Sequence, residues 1–196
     1  EMERIHTPAY LDKFKALSDE NGGNAGHYSP FGHGSFEIAA LSAGLVKQAV
    51  SDVWHRRADN AYVVSRPPGH HCLPDASMGF CLLANIPLAL EALRAEVGPV
   101  RAAVVDWDVH HGNGTEACFI NRDDTLTISL HQENCFPTDQ GRVETRGTGK
   151  GKGFNLNIPL LPGSGHQAYL DAFDLLVGAA LRAYQPQIII VASGLD

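Results

Sequence analysis

Apolar positions recur along this chain in two periods. Near the start they fall at helical spacing. Tyr10, Leu11, Phe14 and Leu17 predict one helix, with Thr7 as its N-cap and Pro8 at the first helical position. Ile38, Leu41, Leu45, Ala49 and Val53 predict a second, capped by Ser35 and burying those five side chains as a stripe. Residues 21–34 between them are rich in Gly, Asn and His and predict a loop. Tyr28 and Phe31 mark it as packed or functional rather than a linker. Beyond residue 60, short apolar runs take over. Strands are predicted over 61–65, 100–105, 126–130, 154–160 and 187–193. Helices are predicted within 78–97, with Pro87 at a bend or in the first turn, over 115–121, and over 166–184, where Pro186 stops the last. Strands alternating with helices predict an α/β fold: a parallel, doubly wound sheet with helices on both faces. The chain has no internal repeat and no low-complexity tract.

Composition narrows the function. A length of 196 residues suits one domain or part of a larger one. The net charge of −7, with no run of Lys and Arg, argues against direct nucleic-acid binding through phosphates. No apolar stretch approaches the length of a membrane span, and no apolar leader follows Glu1. Cys72, Cys81, Cys118 and Cys135 form no CxxC pair and read as free thiols of a reducing, cytoplasmic setting. The chain opens directly on a helix signal and stops just after an apolar strand. That predicts the central portion of one longer catalytic domain over 1–196, with an opening strand and a C-terminal part missing.

The candidate chemistry is concentrated at Asp106-Trp-Asp-Val-His-His-Gly-Asn-Gly114, directly after the apolar run 100–105. Extended geometry would point Asp106, Asp108 and His110 the same way, at the end of a strand where open α/β sheets place their sites. An oxygen and a nitrogen donor from Asp108 and His110 suit a divalent ion, and Asp196, after another apolar strand, is the candidate third ligand. Two Asp and one His with an open position form the pattern of a catalytic metal rather than a closed structural one. A plainer reading makes Asp108 a helix cap and His110 a packed turn residue. Asp106 is an alternative ligand or a carboxylate that orients a histidine. His70 and His71 follow a rigid Pro-Pro-Gly and suit acid/base work better than shared ligation. Asn113 could hold an imidazole. Phe80 and Phe136 are equally readable as core or as walls of a narrow channel.

Taken together, several segments resemble the metal-dependent histone deacetylase family, in its class II-like branch of bacterial amidohydrolases and acetylpolyamine amidohydrolases. They are Arg66-Pro-Pro-Gly-His-His71, Gly79-Phe-Cys81, Asp106 to Gly114, Ser129-Leu-His131, Asn134-Cys-Phe-Pro137 and Ser193-Gly-Leu-Asp196. The resemblance implies an arginase-like fold and removal of acetyl or other acyl groups from lysine side chains or related amines. It implies Zn2+ on Asp108, His110 and Asp196. His71 would be general base and acid, and His70 its electrostatic partner. Asp106 and Asn113 would be buttresses of the two imidazoles. Gly79, Phe80 and Phe136 would line the acyl channel. It also implies K+ on the Asp106 carboxylate, the Ser129 hydroxyl and the carbonyls of Asp108, His110 and Leu130. A second K+ would sit on carbonyls near Phe119, Arg122, Thr125 and Phe154. The family's oxyanion-stabilising tyrosine belongs to a segment beyond Asp196. Partners are an acetylated lysine or an acetylated polyamine, with room for association between copies of the chain. Alternatives are a di-manganese ureohydrolase-like enzyme and a non-catalytic acyl-lysine binding module.

Overall fold

The structure, a computed structural model, describes residues 1–194, and the short apolar runs and helical stripes assemble into two units: one spans Glu1–Gly98, the other starts at Pro99. In the first, α1 (Pro8–Glu20) begins as its sequence requires. Thr7 Oγ1 accepts the Tyr10 N–H at 3.3 Å, and Pro8 occupies the first turn. Tyr10 and Phe14 are buried, and the Tyr10 hydroxyl donates to the Leu82 carbonyl at 2.7 Å. The loop that follows forms short strands. β1 (Gly23–Asn24) pairs antiparallel with β3 (Pro30–Phe31), and β2 (Gly26–His27) pairs parallel with β4 (Ser77–Met78).

α2 (Ser35–Trp54) and α3 (Asn85–Val97) pack on each other. Here the structure corrects the sequence on three points. Ser35 is the first helical residue, and the cap position belongs to Gly34, whose φ of 76° glycine adopts without strain. The stripe predicted as buried is largely turned out: Ile38, Leu41 and Leu45 are 54%, 65% and 46% exposed. The helix instead buries Ala39, Ser42, Ala43 and Val50, small residues that allow a close approach to the leucines of α3. Residues 61–65 form no strand. Tyr62 and Val64 stand exposed, and the prolines that follow offer no N–H to a ladder. Helix begins at Asn85, with Pro87 in the first turn, as the sequence required.

The second unit is built on β5 (Ala102–Asp106), β6 (Thr125–Gln132), β7 (Asn155–Leu160) and β8 (Ile188–Ala192). They form one parallel sheet in the order β7-β6-β5-β8, the α/β architecture that the alternating elements predict. The chain runs outward from β5 through β6 to β7 and then returns to the other side of β5. The end of β5 is therefore the switch point where such sheets open a crevice. α4 (Asn113–Phe119), starting two residues before its predicted position, follows that end. The predicted helix over 166–184 is α5 (His166–Ala172) and α6 (Gly178–Tyr184), joined by a π turn over Phe173–Val177. This rod covers one face of the sheet, where Ala103, Val105, Leu126, Ile128, Leu130 and Ile158 meet Ala172 and Val177. The opposite face, beneath α4, carries Thr125, Thr127, Ser129, His131, Asn155 and Asn157, all buried as well. Among the described residues, no helix is long and apolar enough to cross a membrane.

Candidate metal centre and its relatives

β5 ends at Asp106, so the extended geometry that would align Asp106, Asp108 and His110 stops before it reaches the last two. Two successive Asx turns do the work instead. The Asp106 carboxylate accepts the Asp108 N–H at 3.1 Å, and the Asp108 carboxylate accepts the His110 N–H at 2.7 Å. The second turn brings His110 Nδ1 within 3.1 Å of Asp108 Oδ1. Ligand atoms about a tetrahedral zinc with bonds of about 2.0–2.1 Å lie about 3.3 Å apart, so this pair fits two corners of one ion. Gly194 backs onto the same carboxylate: a Cβ there would fall 1.6 Å from Asp108 Oδ2. The third predicted ligand, Asp196, lies outside the described residues. Among those described, no group of three or more His, Cys, Asp or Glu gathers as a closed metal site would need.

Beneath this rim lies a buried polar layer. Asp106, 2% exposed, stands opposite Ser129 in the strand register, and a Cβ on Gly112 would meet the Asp106 carboxylate at 2.3 Å. His131 Nε2 lies 3.0 Å from the Gly141 carbonyl, and its Nδ1 lies 3.0 Å from the Ser129 hydroxyl. A carbonyl only accepts, so Nε2 carries the proton and Nδ1 takes the Ser129 O–H. Burial, reinforced by His111, lowers the His131 pKa to about 4, which keeps that tautomer neutral. With its proton so committed, Ser129 Oγ accepts the Gly112 N–H at 3.3 Å and has one further lone pair on the side of Asp106, a donor set that fits a monovalent cation. For the second implied K+ site, the Phe119 carbonyl accepts the Arg122 N–H, and the Phe154 carbonyl accepts the Thr127 N–H.

Sequence reasoning gave no role to the next group. His111, 2% exposed, has its Nε2 3.3 Å from Glu116 Oε2, close enough for attraction but not aligned as a hydrogen bond. Asn155 and Asn157 both donate to the same oxygen, at 2.8 and 2.7 Å. Burial opposes charge on Glu116, but His111 and the two amides outweigh it and hold the carboxyl below its usual range. The signal available was the alternation of polar residues along β6 and β7, which reads as a solvated face and is in fact buried.

The other predicted residues are placed as follows. Asn113 is buried and opens α4. Leu130 is fully buried in β6. The Phe136 carbonyl accepts the His111 N–H at 3.1 Å, and its ring stands 6.1 Å from the His110 ring, nearly perpendicular at 82°. In the first unit, His70 and His71 lie side by side with ring centres 3.9 Å apart, and His71 is buried. Their lead-in is rigid. Gly69 packs so tightly that a Cβ would fall 2.6 Å from the Asn85 nitrogen, and the Pro67 carbonyl accepts from both Ser42 and Asn85. Gly79 and Phe80 have φ of 53° and 63°. For a bulky Phe this is a costly conformation, and it leaves the ring 65% exposed. None of the four cysteines is in a disulfide.

A family model described as histone deacetylase domain matches residues 1–196. The chain belongs to the histone deacetylase family. The histone deacetylase-like amidohydrolase of Pseudomonas aeruginosa is 56% identical over 196 residues, which is 100% of this chain and 52% of that protein. A probable deacetylase of Archaeoglobus fulgidus is 37% identical over 192 residues, covering 98% of this chain and 53% of that one. Among solved structures, an HDA15 HD domain superposes with a TM-score of 0.91 at 32% identity, over 100% of this chain and 56% of that one. An acetylpolyamine aminohydrolase from Burkholderia pseudomallei superposes with a TM-score of 0.88 at 30% identity, over 97% and 64%. This histone deacetylase family chain thus spans about half the length of the curated relatives it matches, and has their parallel α/β fold.

Proposed function

We propose that the protein containing this chain is a zinc-dependent amidohydrolase that removes acetyl or other short acyl groups from lysine side chains or related linear amines. The observation that carries this reading is the double Asx turn. It sets an oxygen and a nitrogen donor 3.1 Å apart at a sheet switch point, in a chain that matches the deacetylase family throughout. Asp108, His110 and Asp196 would hold the zinc. When bound, it would supply Lewis-acid polarisation of the amide carbonyl and acidify a water molecule. The chain's own residues do the rest. His71 accepts the attacking water's proton at one ring nitrogen and returns it to the departing amine. His70 steadies that charge, and Asp106 and Asn113 orient the two imidazoles. Phe80 and Phe136 exclude water from the acyl arm, with Gly79 at the channel floor. Asp106, Ser129, Leu130 and the Asp108 and His110 carbonyls would hold a structural K+. Cysteines outside any disulfide suit a cytoplasmic setting. Residues 1–196 are the central portion of a single catalytic domain.

The test is metal analysis and acetate release by the full-length protein, with an acetyl-lysine peptide and an acetylated polyamine as parallel substrates. One zinc per chain and release of acetate from either substrate are expected. The ratio of the two rates identifies the substrate class. Two manganese ions per chain, or tight peptide binding with no acetate release, would overturn the reading.

A further inference from the structure

The buried cluster around Glu116 lies outside the catalytic set, yet it touches both ends of the segment that carries Phe136. Asn155 and Asn157 sit two apart on β7 and point to one face. Each amide uses both hydrogens of its Nδ2. One goes to Glu116 Oε2, and the other to a carbonyl of the loop: Thr145 at 2.8 Å from Asn155, Arg142 at 3.3 Å from Asn157. An anionic acceptor on one side fixes which way each amide faces. Without it, the Asn157 amide can turn over and present its oxygen to the loop carbonyl, which repels it; Asn155 is held in addition by the Thr127 hydroxyl on its Oδ1.

The same loop is seated on the imidazoles. Gly141 is buried with φ 71°, and a Cβ there would meet His131 Nε2 at 2.3 Å and His111 Cγ at 2.9 Å. The His111 backbone holds the Phe136 carbonyl, and the His111 ring faces Glu116. One carboxylate therefore orders the two amides that hold the Arg142 and Thr145 carbonyls, and lies against the ring of the residue whose backbone holds Phe136.

We propose that Glu116 is a positioning residue that sets the Phe136 segment, and through it the width of the acyl channel, without touching substrate. The proposal rests on the reading of Phe136 as a channel wall. The test compares full-length Glu116→Leu, Glu116→Gln and Asn157→Ala with the unaltered protein. Glu116→Leu removes the acceptor, and Glu116→Gln keeps one oxygen. If Glu116→Leu does not fold, Asn157→Ala removes a single anchor and carries the test.

Amide hydrogen exchange over 136–148 is expected to quicken about tenfold or more, as for loss of a hydrogen bond to a charged group, with β5 and β6 unchanged. The preference for acetyl over longer acyl-lysine substrates is expected to shift about tenfold, mostly in KM. Zinc content is expected to be unchanged, and Glu116→Gln to restore most of both effects. The proposal is overturned by unchanged exchange in the loop, by quickening spread evenly over the sheet, or by an equal fall in kcat for every acyl length. If the unaltered protein cleaves no acyl amide, the deacylase reading falls, and hydrogen exchange alone decides whether Glu116 holds the segment.

Discussion

On β6, Leu126, Ile128 and Leu130 point to one face of the sheet and Thr125, Thr127, Ser129 and His131 to the other, and all are buried. The first face meets α5 and α6 and has only volume to satisfy. On the second, every polar atom taken from water needs a partner, so Thr127 binds Asn155, Ser129 binds His131, and His131 binds the Gly141 carbonyl. The apolar face tolerates a change of shape at the cost of a cavity. The polar face fixes orientation, since Asn155, Asn157 and the His131 ring each have one arrangement that satisfies their neighbours. The candidate metal centre stands at the edge of the second face. A polar alternation that would usually mark a solvated strand here marks the foundation of a site.

Substitutions on each side test this contrast. The largest expected effect is at the rim. Asp108→Ala in the full-length protein should lower acetate release by about 10³-fold or more with only a small fall in the thermal midpoint, because it removes a ligand and one turn hydrogen bond but no apolar core contact. A loss of stability matching the loss of activity would erase the distinction between rim and core. Next comes the apolar face. Ile128→Ala should cost about 2–5 kcal/mol in urea unfolding, with turnover per folded molecule little changed. A collapse in turnover at full folding would show that this face also sets the site.

Thr127→Val keeps the volume and removes the hydroxyl that donates to Asn155 Oδ1 at 2.5 Å. It should cost about 1–3 kcal/mol, because an acceptor stays buried and unpaired. A neutral result would mean that the polar face does not depend on its hydrogen bonds.

The smallest effect serves as a control away from the sheet. His6, 1% exposed, donates from Nδ1 to the Pro74 carbonyl at 3.2 Å and accepts the Ala84 N–H on Nε2 at 3.0 Å, so it is folded as the neutral ring. Burial, the largest influence, lowers its pKa below the usual 6.5. The unfolded chain then binds the extra proton first. Stability is full above the unfolded pKa and declines as pH falls below it. The thermal midpoint should drop on acidification through this range, and His6→Gln should flatten that dependence. An unchanged slope would show that His6 is not the group responsible.

How much was readable follows from where each signal resides. Local apolar runs placed β5, β6, β7 and β8, and Thr7 with Pro8 placed the start of α1, since those preferences act within a few residues. The buried face of α2 was not readable. Ile38 and Leu41 are more apolar than Ala39 and Ser42, and only the close approach of α3 favours the smaller residues. Residues 61–65 have strand composition and no ladder partner. Asp108 and His110 do lie together, but their convergence comes from Asx turns and not from the strand alternation that suggested it. Glu116, Asn155 and Asn157 were missed because their meeting joins a helix to a strand about forty residues away.

The parallel α/β order of elements, the family, and the short list of oxygen and nitrogen donors follow from the residues alone, because propensity, period and motif spacing are properties of near neighbours in the chain. The tertiary structure decided which side of α2 is inside, how the donors of Asp108 and His110 come to face one another, and that the polar side of β6 and β7 is buried. Those outcomes depend on what stands across from a side chain. Burial turns the same hydroxyl, amide or imidazole from a solvated group into one that must find a fixed partner.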